Sequence, residues 1–70
     1  MRYLLVEDNQ ALAKAILDRL SLSGHVVDHA DRIETAHDYL RVSHYDLILL
    51  DIMLPDGDGR QLLKAYRANL

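Results

Sequence analysis

The sequence predicts an α/β fold in which the three strands of one parallel sheet alternate with three helices. Apolar runs at residues 3–6 and 47–50 indicate two strands, and residues 25–30 indicate a weaker third one. Amphipathic stretches separate them, and the resulting βαβαβα order is typical of a parallel sheet with right-handed crossovers. Both strong runs end on acidic residues, which can meet only if the first and third strands are neighbours. We therefore expect the first and third strands to be neighbours.

Composition limits the possible functions. The chain has 70 residues, of which 50% are hydrophobic, a net charge of −3 and no cysteine. A chain of this size buries only about 60% of the surface that its unfolded form exposes, so we expect one small domain over residues 1–70. The lack of cysteine excludes disulfides and thiolate metal sites, and the acidic balance argues against nucleic-acid binding by this segment. The opening apolar run is too short for a signal peptide or a membrane span, so a cytoplasmic protein with no membrane partner is expected.

The first helix is predicted over residues 10–23. Asn9 can cap its amino end with a side-chain oxygen. Gly24 is expected to end it in left-handed backbone. Its inward stripe recurs every fourth residue and consists of Leu12, Ile16 and Leu20.

The other two helices are predicted from a shared cap spacing. Asp31 with Glu34 forms a capping box for a helix that runs to about residue 42. Asp58 with Gln61 forms another for a helix that runs to about residue 69. The inward residues expected on these helices are Ile33, Ala36, Leu40, Leu62, Leu63 and Tyr66.

The third strand is the most informative part of the chain. Four consecutive aliphatic residues, 47–50, are typical of a strand that is buried on both faces of a parallel sheet. Asp51 follows at its carboxyl end. Ligands of open α/β sheets bind in the crevice beyond the strand ends, so Asp51 is the first candidate for function.

Glu7 and Asp8 follow the first strand in the same way and should meet Asp51 at one edge of the sheet. Three carboxylates repel one another unless a cation lies between them. Oxygen ligands of this kind suit Mg²⁺, which keeps several waters and accepts phosphate oxygens. An aspartate can also act as a nucleophile and form an aspartyl-phosphate, so the pattern indicates phosphoryl chemistry centred on Asp51.

These residues resemble the receiver domain of two-component response regulators. The resemblance rests on the stretches 5–9, 45–55 and 58–59, and it extends over the whole chain. It implies a partial flavodoxin-like fold with the strand order 2-1-3, in which Pro55 and Gly59 shape the turn beneath the site.

The resemblance also implies a role for each acid. Asp51 would accept the phosphoryl group from the phosphohistidine of a sensor histidine kinase. Glu7 and Asp8, with Asp51 and the backbone carbonyl of Met53, would hold Mg²⁺. Such a domain is not an enzyme beyond transfer to its own aspartate. The stretch 51–59 resembles the subclass in which a winged-helix DNA-binding domain follows the receiver, so the intact parent would regulate transcription.

The number of strands departs from the family. Receivers have about five βα units, whereas this chain has three, so we expect it to be the amino-terminal part of a receiver. The family's phosphoryl-binding hydroxyl residue, its lysine and its aromatic switch residue have no counterpart by position. The third strand would then be an edge without lysine, proline or a bulge to block pairing. We predict a homodimer or higher oligomer that pairs these strands.

Two other functions stay open. Half a receiver could fold only by self-association and never signal. A phosphohydrolase of the haloacid dehalogenase type also has a nucleophilic aspartate after a parallel strand. That family needs a second aspartate two residues further on as general acid, and Met53 stands there.

Simpler roles are expected for other polar residues. Glu7 and Asp8 alone could form a solvated turn with a helix cap. Asp56 and Asp58 match the start of a calcium loop, but Arg60 stands where that loop needs an oxygen ligand, so we interpret the two acids as turn and N-cap residues. Surface positions away from the acids are expected for the four histidines, His25, His29, His37 and His44.

Overall fold

The computed structural model describes residues 1–51 and 53–68. Along the chain the elements are β1 (Arg2–Val6), α1 (Gln10–Leu22), β2 (Val26–Ala30), α2 (Ile33–Val42), β3 (Leu47–Leu50), β4 (Met53–Leu54), β5 (Gly57–Asp58) and α3 (Gly59–Ala68). The first three strands form one parallel sheet in the order β2-β1-β3. The predicted fold class and strand order are therefore confirmed. The predicted end of the last helix at residue 69 lies outside the described residues.

The register brings the carboxyl ends of the three parallel strands level with one another. Val6 in the central strand pairs with Ala30 on one side and with Leu50 on the other. Backbone pairing continues one residue further, because the Glu7 N–H donates to Ala30 O at 3.0 Å and the Asp51 N–H donates to Val6 O at 2.9 Å. The acids that follow β1 and β3 consequently emerge at the same edge of the sheet.

The main core joins the sheet to α2 and α3. Leu4 and Val6 alternate on one face of β1, and both are fully buried. Leu5 faces the opposite side, and it is buried together with Ala13 of α1 outside this cluster. The buried residues of the main core are Leu4, Val6, Ala30, Ala36, Leu54 and Leu62.

The inward stripes of the helices are only partly as predicted. Ala13 of α1 is buried, whereas Leu12 is 49% exposed. The inward row of α1 consists of the buried Ala13 with the half-buried Ile16, Leu17 and Leu20, and this helical spacing leaves Leu12 on the solvent side. In α3, Leu62 is buried, but Leu63 is 36% exposed.

The third strand is not buried on both faces, so that prediction is wrong. Leu47 is 45% exposed, and residues 48–50 are half-buried. The reason is that β3 pairs with β1 on one side and is the last strand of its sheet on the other. The prediction that the third strand is an edge of the sheet is confirmed.

Two of the three predicted N-cap residues, Asn9 and Asp58, are confirmed, although among the described residues no hydrogen bond from Gln61 completes the capping box predicted at Asp58. Asn9 Oδ1 accepts a hydrogen bond from the Leu12 N–H at 3.0 Å at the start of α1, and Asp58 Oδ1 accepts one from the Arg60 N–H at 2.8 Å at the start of α3. The capping box of Asp31 with Glu34 is not formed. Arg32 is the N-cap residue of α2 and its side chain makes no cap hydrogen bond.

The segment after Asp51 forms a small antiparallel hairpin that the sequence did not predict. Met53 in β4 pairs with Asp58 in β5, and Leu54 pairs with Gly57. Each strand has two residues, too few for a periodic pattern to appear in the sequence. The hairpin takes the place of the loop expected between the third strand and the last helix.

Candidate functional site

Three acidic side chains meet at the carboxyl edge of the parallel sheet. Glu7 and Asp8 follow β1, and Asp51 follows β3. One carboxylate oxygen from each residue lies within 4.8 Å of the other two. Glu7 is buried, Asp51 is half-buried and Asp8 is exposed, so the acidic cluster of Glu7, Asp8 and Asp51 opens towards solvent. This convergence was predicted from the strand endings.

The electrostatics of the acidic cluster favour a cation. Burial raises the pKa of Glu7, and a hydrogen bond with Asp51 and the negative charges of Asp51 and Asp8 raise it further. Among the described residues, no lysine or arginine forms a salt bridge with a member of the cluster. Three carboxylates with an open side and no protein cation are a donor set that fits Mg²⁺.

The backbone of Glu7 is held from two sides by β2. Its N–H donates to Ala30 O at 3.0 Å, and its carbonyl accepts a hydrogen bond from His29 Nε2 at 2.8 Å. A carbonyl oxygen has no proton to give, so Nε2 must carry the proton of this bond. The expectation that every histidine lies away from the acids is wrong for His29. The reason is the strand register, which the sequence does not give: it pairs Leu5 with His29, two residues before the acids begin.

The loop after Asp51 begins with a contact to the acid itself. The Met53 N–H donates to Asp51 Oδ1 at 3.3 Å, and the Met53 side chain is 82% exposed. Pro55 lies at the exposed tip of the hairpin, and Gly59 is buried at the start of α3. The predicted metal-binding carbonyl and the two predicted turn residues therefore belong to one short segment beside the acidic cluster.

Other polar residues have structural contacts. The centroids of the His25 and Tyr3 rings lie 4.7 Å apart. Asp58 binds the backbone and guanidinium of Arg60, in agreement with its interpretation as an N-cap residue. The acidic cluster contains no histidine among the described residues.

The arrangement defines a class of protein: a parallel α/β domain with an acidic pocket beyond the strand ends. Residues 3–69 match the family model of the response regulator receiver domain. The chain therefore belongs to the response regulator receiver domain family, whose members are signalling domains of two-component systems.

Known regulators and solved structures show the same relationship. The chain is 46% identical over 68 residues to the swarming motility regulation protein RssB of Serratia marcescens, covering 97% of this chain and 31% of that protein. It is 39% identical over 69 residues to the transcriptional regulatory protein PmrA of Pectobacterium parmentieri, covering 99% of this chain and 31% of that protein. A two-component response regulator of Clostridium difficile matches with a TM-score of 0.95 and 30% identity, over 100% of this chain and 58% of that one.

The similarity covers only part of each of the two regulators. The chain spans about a third of the length of the two transcriptional and motility regulators that it matches. No helix in residues 1–51 and 53–68 is long and apolar enough to cross a membrane.

Proposed function

We propose that this chain is the phospho-acceptor segment of a two-component response regulator, with residues 1–70 acting as one receiver segment and Asp51 as the acceptor. The observation that carries the proposal is the convergence of Glu7, Asp8 and Asp51 within 4.8 Å at the carboxyl edge of the sheet. The donor would be the phosphohistidine of a sensor histidine kinase. In the intact parent, which would be cytoplasmic, phosphorylation would regulate transcription, as the similarity to PmrA supports.

The chemistry is a transfer between two nucleophiles. A carboxylate oxygen of Asp51 forms the new P–O bond while the P–N bond of the phosphohistidine breaks. The bonding electron pair stays on the imidazole nitrogen, which takes up a proton. Asp51 suits this role because it ends a strand of the sheet, is half-buried and is reached from the open side of the cluster.

Mg²⁺ would be held by Glu7, Asp8, Asp51 and the backbone carbonyl of Met53. When bound, it neutralises the charge on the phosphoryl oxygens during transfer. The chain's own contribution is to fix the carboxylates in place. Glu7 is held through both polar groups of its backbone, and Asp51 through the hydrogen bond that its N–H donates to Val6 O.

Phosphorylation of the purified chain tests the acceptor. Acetyl phosphate and Mg²⁺ should add one phosphoryl group slowly, since no residue matches the family's lysine and hydroxyl residue, which stabilise transferring phosphoryl groups. Intact mass under denaturing conditions reads the modification, and Asp51→Asn is the control that should take up none. Modification at another residue, or none after long incubation, would contradict the assignment. Complete reaction within minutes would show that the lysine and hydroxyl are dispensable.

The partner surface of this 70-residue chain is proposed to be β3, through which two copies pair as a homodimer or higher oligomer. Leu47 is 45% exposed, and β3 has a sheet neighbour on one side, β1. Unpaired strand amides and carbonyls are a template for another chain. Burial of the apolar edge would add about 25 cal/mol per Å² removed from water.

Light scattering after size exclusion tests this pairing. The chain should elute as a dimer or larger species, and Leu49→Lys, which charges the edge, should shift it towards monomer or unfolded chain. The matched control is Leu22→Lys, because Leu22 is 88% exposed on α1, away from β3. A folded, monodisperse wild-type monomer at high micromolar concentration would exclude the proposal. We propose no direct contact of this segment with nucleic acid or with a membrane.

A further inference from the structure

Asp56 caps a helix that is distant from it in sequence. Its Oδ1 accepts a hydrogen bond from the Ile33 N–H at 2.8 Å, and its Oδ2 accepts one from the Glu34 N–H at 3.0 Å. The first backbone N–H groups of a helix have no partner within the helix, and the N-cap side chain of Arg32 supplies none here. Asp56 therefore takes the place of a local cap on α2.

The hairpin that carries Asp56 lies against the same helix end. A side chain added at Gly57 would place its first carbon 2.9 Å from Ile33 Cδ1, so the backbone of β5 approaches α2 closely. Leu54, on the paired strand β4, is buried in the main core. The turn of the hairpin is thus fixed to α2 through Asp56, and the pair beside the turn is fixed to the core through Leu54.

The other end of this segment belongs to the acidic cluster. Asp51 accepts the Met53 N–H at 3.3 Å, and Met53 begins the hairpin by pairing with Asp58. Asp56 follows Met53 by three residues. A short, continuous segment consequently runs from the proposed Mg²⁺ ligands to the amino end of α2, with an anchor at each end.

We propose that Asp56 is a positioning residue that couples the acidic cluster to α2 through this hairpin. The proposal rests on the Mg²⁺ site proposed above. Occupancy of that site would order Met53 and the hairpin and stabilise the amino end of α2. Because coupling between two sites is reciprocal, loss of the Asp56 contact would weaken Mg²⁺ binding. The pKa of Asp56 is lowered by its bonds to the Ile33 and Glu34 amides, which agrees with a charged carboxylate at the positive end of the helix dipole.

Asp58 offers a matched control within the same hairpin. Its carboxylate binds Arg60, through the backbone N–H at 2.8 Å and through the guanidinium at 2.8 Å. It therefore caps its own neighbouring helix, and among the described residues it forms no hydrogen bond or salt bridge with α2. Asp56→Ala removes the contact with α2, Asp56→Asn keeps one acceptor oxygen, and Asp58→Ala removes only the local cap.

The test is a Mg²⁺ titration followed by backbone amide resonances in ¹⁵N-labelled chains. In the wild type, the amides of Ile33 and Glu34 should respond with the same midpoint as those of Glu7 and Asp51. Asp56→Ala should abolish the response of α2 and weaken Mg²⁺ binding by roughly fivefold. Asp56→Asn should give an intermediate affinity, and Asp58→Ala should keep both the affinity and the α2 response. If Asp56→Ala does not fold, Asp56→Asn decides on the same two criteria.

The outcomes separate this inference from the site on which it rests. A wild-type response at Glu7 and Asp51 with none at Ile33, or an unchanged α2 response in Asp56→Ala, would overturn the coupling and leave the Mg²⁺ site intact. Equal weakening by Asp58→Ala would also overturn it, because any damage to the hairpin would then suffice. No response at Glu7 or Asp51 in the wild type would overturn the Mg²⁺ site and the coupling together.

Discussion

Acidic residues occur towards both ends of the parallel sheet, in opposite circumstances. Towards the amino ends, Asp28 accepts hydrogen bonds from the Tyr45 hydroxyl at 2.6 Å and from the Arg2 guanidinium at 3.3 Å. Asp46 accepts one from the Arg2 N–H at 2.7 Å, and the Arg2 guanidinium lies 5.5 Å from the centroid of the Tyr45 ring. We call these four residues the amino-end network. In it, each acid has a donor from another part of the chain.

At the carboxyl ends, the acidic cluster differs from the amino-end network in its charge partners. Burial raises the pKa of Glu7, Asp51 and Asp8 raise it further, and no described lysine or arginine forms a salt bridge with a member of the cluster. Like charges held together cost stability, whereas paired ones offset the cost of their desolvation. The amino-end network therefore supports the fold, and the unpaired charges of the acidic cluster support the proposal that it binds a cation and a phosphoryl group.

The largest expected effect is on the free energy of unfolding and comes from a change in the amino-end network. Asp28→Ala leaves the Tyr45 hydroxyl and the Arg2 guanidinium without their acceptor, so it should lower the free energy of unfolding by about 2 kcal/mol. Urea denaturation measures this value. The control is Asp38→Ala, because Asp38 pairs with Arg41 at an exposed site and its loss should cost no more than about 0.5 kcal/mol. Equal losses in the two variants would remove the distinction between the network and an ordinary surface pair.

Tyr45 gives a smaller effect with a defined pH dependence. Tyr45→Phe should cost about 1 kcal/mol at neutral pH, the net value of one hydrogen bond. Burial, followed by the hydrogen bond to Asp28, raises the pKa of Tyr45 from 10.0 to about 12. The folded state thus binds this proton more tightly than the unfolded state, so its stabilising effect is complete below pH 10.0 and is lost as the pH rises towards about 12.

Denaturation curves across that alkaline range measure how the free energy of unfolding of wild type and of Tyr45→Phe changes with pH. Wild type should lose more stability than Tyr45→Phe, and Tyr39→Phe, which keeps the network, should behave as wild type. Parallel loss in wild type and Tyr45→Phe would show that Tyr45 is not the group responsible.

The smallest expected effect is on Mg²⁺ affinity and concerns His29, which lies beside the acidic cluster. His29→Leu removes the donor to the Glu7 carbonyl and should weaken Mg²⁺ binding by about threefold, the low end for one hydrogen bond. His29→Gln keeps a side-chain N–H donor and should restore most of the affinity. Isothermal titration calorimetry with Mg²⁺ compares the two variants. Identical affinities would limit His29 to a packing role.

The parts of the site that depend on strand endings could be predicted from the sequence. An apolar run followed by acids gives both the strand and its ending, and the resemblance to receivers gives the strand order that makes β1 and β3 neighbours. Those two facts suffice to bring Asp51 to Asp8 and Glu7. The cap of α1 at Asn9 was predictable for a similar reason, because an N-cap contact spans three residues.

Contacts between distant segments could not be predicted in the same way. The bond from His29 to Glu7 spans 22 residues, and the bond from Ile33 to Asp56 spans 23. Asp31 with Glu34 had the right spacing for a capping box, yet Asp56 took its place because the hairpin brings a carboxylate to both amides at once. Sequence spacing identifies a possible local acceptor, here Asp31. Only the tertiary arrangement decides which acceptor the helix uses.

The central claim is that Glu7, Asp8 and Asp51 form one Mg²⁺ site whose acids repel one another without the ion. Asp51→Asn tests it when Mg²⁺ affinity and the melting temperature without Mg²⁺ are measured on the same preparations. Loss of a direct ligand should weaken binding by more than about tenfold, since loss of an outer partner of a metal site already costs that much. The same substitution should raise the melting temperature in the absence of Mg²⁺, because one of three like charges is removed. Unchanged affinity, or a lower melting temperature without the ion, would contradict the claim.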